Sequence, residues 1–407
     1  MKCLTFQKPN KYHFLFLLFF VSALSRLFVN DKVMVSGNRK VDFFFLMHSY
    51  ILSHILSFIP FFISQYLSKK KEKSDMNKLV ENIVENKIPK KYKWKNLIKP
   101  ILLLSLLGFF TEVPMFLFNL LADKFYHSIY KMGVYSILNP VLVYIFDYCI
   151  VKVYFYKHHY LSFGINSLCF LTSLVIDIIH LVIKKVNYLG YYIYMLARIL
   201  RLIIQCLLYC FSKIEFESSI LTPYSIIAFR SIFETIFLGL FSIPFIFIKI
   251  KGFGQKDGDG EILFTKFPCF FDGINLLYSI ILFIINYLID ISFMLIIDKF
   301  STSHLALAIC SESFATNAYH IIKSHINKAN VSYETYVNLG LYFLVFIGAM
   351  IHNEIFIINK CGLHEKTLLN LNNEFKEENI DIENVVNNLD ANSGNSASKE
   401  SESMEVN

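Results

Sequence analysis

Ten stretches of the chain run apolar for the length of a bilayer crossing: residues 12–29, 41–67, 97–121, 132–154, 160–183, 186–211, 220–250, 271–297, 303–322 and 336–358. A helix needs about 20 such residues to cross roughly 30 Å of hydrocarbon. Backbone amides inside lipid find partners only within a helix or a closed barrel. These stretches do not alternate as barrel strands do, so each predicts a helix, and the expected fold class is an all-α polytopic membrane protein of about ten spans. The first stretch follows Lys8 and Lys11 and contains Val21-Ser22-Ala23, the layout of a cleavable signal segment. Its continuation through Leu27-Phe28-Val29 favours a retained helix. The ninth carries Ser303, Ser311, Glu312, Ser313, Thr316 and Asn317. A helix that polar spans only where it faces protein or a water-filled cavity.

Composition agrees with this reading. Of 407 residues, 55% are hydrophobic, 17% are charged and 42 are Phe, with mean hydropathy +0.48. A soluble protein could not cover that much apolar surface. A soluble enzyme, a secreted disulfide scaffold and a free nucleic-acid binder are therefore excluded. The eight cysteines are scattered, with no Cys-x-x-Cys and no Cys/His group at zinc spacing. Cys206 and Cys210, four apart on one helix face, read as packing. His48, His54 and His180 are lone imidazoles in spans and read as interior histidines. No cofactor and no metal is expected.

The net charge of +7 divides unevenly. Residues 365–407 hold ten acidic residues against three lysines, and their Asn, Ser and Glu content predicts a disordered acidic tail. Residues 67–99 hold eleven lysines, including Lys69-Lys70-Lys71. With ten spans, that loop shares a side with both termini. That side carries 18 Lys and Arg before the tail, against 13 on the other. The positive-inside rule then puts both termini in the cytoplasm. Asn330-Val331-Ser332, the one glycosylation sequon, falls on the opposite side. Residues 77–88 have the spacing of a short amphipathic surface helix.

The chain also echoes itself. Asp123-Lys124-Phe125, Ser128 and Ser136 recur 175 residues later as Asp298-Lys299-Phe300, Ser303 and Ser311. Ser57-Phe58-Ile59-Pro60-Phe61 is echoed 184 residues later by Phe241-Ser242-Ile243-Pro244-Phe245. The echoes occupy corresponding helices of two five-helix halves, expected at 1–183, including the basic loop 67–96, and 184–364. Five is odd, so the two copies must insert upside down relative to each other. Inverted repeats of this kind are common in secondary transporters, with the binding site at the repeat interface near mid-membrane.

Charges inside spans are costly and therefore informative. They are Arg26, Glu112, Asp147, Asp177, Arg198, Arg201, Arg230, Glu234, Asp290, Glu312 and Glu354. Arg230 and Glu234 are four apart and can pair on one helix face. A cavity lined by Arg26, Arg198 and Arg230 suits an anion, because guanidinium grips phosphate and carboxylate at two points; ion pairing across helices is the alternative. Asp147 and Asp290 lie in separate halves and could meet. Pro114 beside Glu112, and Pro140, remove backbone hydrogen bonds and can bend their helices. Motifs of hydrolases, metalloproteases, desaturases and phosphate-binding loops are absent. The glycine-rich run Gly252 to Gly260 reads as a loop.

Three stretches carry a family likeness: Leu221-Thr222-Pro223-Tyr224-Ser225-Ile226-Ile227-Ala228-Phe229-Arg230, Tyr135-Ser136-Ile137-Leu138-Asn139-Pro140-Val141-Leu142, and the polar helix from Ser301-Thr302-Ser303 to Asn317. With ten helices, two halves and a basic loop after the second helix, residues 12–365 resemble the drug/metabolite transporter superfamily (EamA-type), which includes nucleotide-sugar and triose-phosphate transporters. In that family the first stretch opens the second repeat, the second forms the fourth helix and the third lines the substrate path. The lysines and glycines of nucleotide-sugar carriers near helices nine and ten are missing, and Glu312 stands there instead. That points away from a nucleotide sugar.

The function expected is therefore secondary-active transport of a small polar, anionic metabolite by alternating access, not catalysis. The cavity residues expected are Arg26, Glu112, Asp147, Arg198, Arg230, Glu312 and Asn317, with Glu312 or Glu112 as candidates for proton coupling. Partners expected are a small-molecule solute and membrane lipid, with no nucleic acid; a homodimer stays open. The location expected is the plasma membrane or an endomembrane. A membrane-embedded enzyme of lipid metabolism and a non-transporting receptor or scaffold are the alternatives.

Overall fold

The structure, a computed structural model, describes residues 4–6, 13–33, 39–67, 94–121, 134–184, 188–217, 222–247, 249–250, 261–328, 331, 333–358, 362–363 and 367. The basic loop, its surface helix, Asn330, the Asp123 echo, the glycine-rich run, His180's side chain and the acidic tail beyond 367 lie outside the described residues. Ten α-helices stand among those described. They are α1 Phe14–Val33, α2 Val41–Leu67, α3 Trp94–Leu121, α4 Val134–Phe146, α5 Lys157–Lys184, α6 Tyr188–Glu217, α7 Pro223–Phe247, α8 Gly273–Lys299, α9 Thr302–Ile326 and α10 Tyr333–His352. Six are long and apolar enough to cross a membrane: α2, α5, α6, α7, α8 and α10. The protein is thus a helical, multi-pass membrane protein by length and composition.

Local sequence explains several boundaries. At the start of α7, Thr222 and Ser225 cap each other: the Ser225 N–H donates to Thr222 Oγ1 at 3.2 Å and the Thr222 N–H to Ser225 Oγ at 2.8 Å. Pro223 sits at the first helical position, where its missing N–H costs nothing. Ser301 caps α9 by accepting the His304 N–H at 3.2 Å. Within α2, residues His54–Ser57 tighten into a 3₁₀ turn. α4 ends in a π turn, Asp147–Val151, and Lys152 turns left-handed at φ 62°. The tenth helix stops six residues short of the predicted 358. Glu354 adopts φ 57° there. Its N–H bonds Ile351 O at 3.1 Å and the Ile355 N–H bonds Met350 O at 2.9 Å. That is the helix-ending pattern usually built on glycine. Glu354, expected inside the span, therefore lies just past its end. The chain continues into strand Phe356–Ile358, which pairs antiparallel with Leu4–Phe6 and brings those two segments to one end of the bundle.

The closest helix neighbours are α1 with α8, α3 with α6, α5 with α10, and α9 with α10; then α2 with α7 and with α8, α3 with α7, α4 with α5, and α4 with α9. Glycines permit two of these approaches. A Cβ at Gly108 of α3 would collide with Glu234 Oε1, and one at Gly348 of α10 with the Asn166 side chain of α5. Ser162 Oγ then donates to Gly348 O at 2.6 Å. The interior is mixed rather than uniformly apolar: Arg230, Glu234 and Asp290 are buried, while Leu168, Leu196 and Leu240 expose 66%, 69% and 63% of their surface. Only an apolar solvent favours that distribution.

Candidate functional site

A polar cavity of two adjoining lobes, about 250 Å³ and 240 Å³, opens among α1, α2, α3, α4, α6, α8 and α9. Both lobes share Arg26, Tyr50, Glu112, Arg198 and Arg201. Helical spacing puts these side chains together: Arg198, Arg201 and Gln205 follow one another at three and four residues along α6, and Glu312, Ser313 and Thr316 share a face of α9. The charged lining residues Arg26, Glu112, Arg198, Arg201 and Glu312 sit well inside their helices, while Asn30 and Phe43 stand near helix ends, so the charged part of the cavity lies at mid-height. Arg201 Nη2 donates to Glu112 Oε1 at 2.6 Å, and Arg26 Nη2 lies 3.6 Å from Glu312 Oε1. Arg198 donates to the Tyr194 hydroxyl at 3.0 Å and rests over that ring. Three arginines against two glutamates leave the lining formally positive by one charge. Among the described residues, Arg201 Nε, Asn139 Oδ1 and Asn30 Oδ1 have no hydrogen-bond partner. Unsatisfied donors and acceptors at such depth are what a polar solute completes.

A second charged cluster lies on the other side of Tyr50. Arg230 Nε is 2.8 Å from Glu234 Oε1, and Arg230 Nη2 donates to Asp290 Oδ2 at 2.9 Å. His54 Nδ1 stands 2.6 Å from Glu234 Oε2 and His54 Nε2 3.6 Å from Asp290 Oδ2. All four side chains are at most 3% exposed. Tyr50 lines the cavity and donates its hydroxyl to Asp290 Oδ1 at 3.3 Å, so it joins the two clusters.

The seven residues singled out in the sequence divide accordingly. Arg26, Glu112, Arg198 and Glu312 line the cavity. Arg230 does not: it lines neither lobe, and its guanidinium is buried against Glu234 and Asp290, 1% exposed. Asp147 does not either. It lies at the end of α4, where Thr302 Oγ1 and Cys210 Sγ donate to its Oδ1, and it lines a separate pocket. Asp147 and Asp290 do not meet. Asn317 turns back on its own helix, donating to Ser313 O at 2.8 Å. Sequence reasoning left out Arg201, Tyr50, Gln205, Asn139 and Asn286 from the cavity. Arg201 had a signal, being one turn from Arg198. Asn286 is a lone amide in a strongly apolar helix. Tyr50 had none, since tyrosine occurs 24 times in the chain.

No protein-family model matches the sequence, and no curated protein matches it. The chain is similar to a solved structure described only as "Crystal structure of protein", at 12% identity and a TM-score of 0.47, over 83% of this chain and 97% of that one. A likeness at that level decides neither fold nor function.

Proposed function

We propose that this protein is a secondary-active transporter, related in architecture to the drug/metabolite transporters, that moves a small polar anion by alternating access. The observation that carries the reading is the mid-height cavity with three arginines, two glutamates and unpartnered polar atoms inside an otherwise lipid-compatible bundle. Charge at that depth is costly and is retained where a solute path needs it. The helix neighbours support two inverted five-helix halves. If each helix is replaced by the one five places away, α1–α8 becomes α6–α3, α9–α10 becomes α4–α5, and α3–α7 becomes α8–α2; α5–α10 and α4–α9 map onto themselves. Arg26 and Arg201 stand on corresponding helices, α1 and α6, and are separated by 175 residues, the spacing of the Asp-Lys-Phe echo. The cavity then lies between the repeats. Its positive excess favours a carboxylate or phosphate solute, held by guanidinium groups.

The test is counterflow in liposomes with the full-length protein, over sugar phosphates, nucleotides, amino acids and dicarboxylates. Saturable exchange of one anionic class, lost in Arg201→Gln, is the expected result. A monodisperse protein that exchanges none of these solutes overturns the reading.

A further inference from the structure

Five of the chain's twelve histidines gather at one end of the bundle, away from the cavity. His13, His159, His304 and His352 line a pocket of about 650 Å³ together with Asp147 and Glu354. His158 packs beside His159, with ring centres 4.0 Å apart. The start of α5 supplies His158 and His159; the left-handed residue after α10 supplies Glu354.

Three of these groups form a donor set. One ligand atom each from His158, His159 and Glu354 lies within 4.8 Å of the others. His158 is 4% exposed, yet neither of its ring nitrogens has a hydrogen-bond partner among the described residues. A buried imidazole left so is costly. Glu354 Oε1 is 3.3 Å from His158 Nε2, but off the line of a hydrogen bond. Two ligands of one tetrahedral zinc, each about 2.0–2.1 Å from the metal, lie about 3.3 Å apart in the same way. His159 accepts the Tyr156 N–H at 3.0 Å on an exposed edge, a bond that water can take over. His352 is stacked flat on Tyr144, with ring centres 3.7 Å apart, and its Nδ1 has no partner among the described residues. Finally, Glu354 holds a backbone conformation that favours glycine. A glutamate there costs stability, which a role for its carboxylate accounts for.

We infer that His158, His159 and Glu354 bind a first-row divalent cation of the zinc type, with a fourth position open to the pocket. Two imidazoles and a carboxylate suit zinc and disfavour calcium or magnesium, which take oxygen ligands. The site stands independently of the transport reading.

The test uses full-length protein in detergent, stripped with chelator and titrated with Zn²⁺ against a chromophoric competitor, with thermal unfolding in parallel. The decisive variant is Glu354→Gly. It removes the carboxylate and supplies the residue the backbone prefers, so the metal-free protein keeps or gains stability. The expected result is stoichiometric Zn²⁺ uptake with a rise in melting temperature in the native protein. Glu354→Gly and His158→Ala should each weaken it at least about tenfold. His325→Ala, outside the cluster, should leave it unchanged. The inference is overturned if native protein takes up no Zn²⁺, or if Glu354→Gly binds it as tightly as native protein does.

Discussion

Two groups of charges lie on either side of Tyr50, both built on arginine–carboxylate pairs, and they face opposite constraints. Around the cavity, Arg26 and Arg201 are 31% and 28% exposed and their glutamate partners 18% each. In the cluster of His54, Arg230, Glu234 and Asp290, no side chain exceeds 3%. The open pairs keep part of their hydration, so they can exchange a carboxylate partner for a solute at modest cost. The sealed cluster has lost that hydration and is held by its own contacts and the Tyr50 hydroxyl; breaking it leaves a charge without water or partner. A charge within a membrane span is thus no guide to solute binding until its access to water is known.

The largest effect that separates the groups is at Arg230. Its replacement by alanine strands two buried carboxylates and should cost about 3–5 kcal/mol, seen as loss of the folded peak in size-exclusion chromatography or a collapse of the melting temperature. A stable, monodisperse Arg230→Ala protein means the cluster is hydrated after all. Next is Gly108→Ala. The added Cβ meets Glu234 Oε1 and the backbone of α3 cannot retreat freely, so about 1–3 kcal/mol is expected. Gly164→Ala, with nothing within 4 Å of the new methyl, is the matched control and should be neutral or slightly stabilising in the same melt.

How far this division could be read in advance follows from chain separation. Hydrophobic run length is a local property: it predicts ten spanning helices, and ten helices stand among the described residues, six of them long and apolar enough to cross a membrane. The Arg230–Glu234 pair is also local, four residues on one helix, and spacing alone allowed it. The contacts that seal the cluster are not local: His54 meets Glu234 across 180 positions and Arg230 meets Asp290 across 60. No pattern within a span tells a sealed arginine from an open one, so sequence alone groups Arg230 with Arg26 and Arg198. Asp147 differs for a related reason: the apolar run continues past it to 154, but the helix gives way at Asp147 to a π turn, which puts Asp147 toward the bundle's end rather than its middle. The histidine end was illegible because its donors come from residues 158–159, at the start of α5, and 354, just past α10, and only the packing of those two helices brings them together.

Tyr50→Phe probes the join between the two groups. Removing a hydroxyl that donates to a buried carboxylate should cost about 1.5–3 kcal/mol, and less if water from the cavity replaces it. Thermal melts of Tyr50→Phe, Asp290→Asn and the double variant form a cycle. Strong non-additivity is expected from a direct contact, and strict additivity means the hydroxyl serves the cavity alone.

The smallest effect on stability should come from Arg201→Gln, and it sharpens the comparison most. Glu112 loses its partner at 2.6 Å but stays against a cavity that water can enter, so the loss should be no more than about 1 kcal/mol. The substitution keeps an amide donor and most of the side chain's bulk, so α3 and α6 remain packed. Exchange of the anionic solute should nonetheless fall to background, because the amide carries no positive charge and cannot grip at two points. A near-native melt with lost exchange places Arg201 among the open charges. A melt as damaged as that of Arg230→Ala means that the cavity is dry in the membrane, and the two groups then differ only in depth.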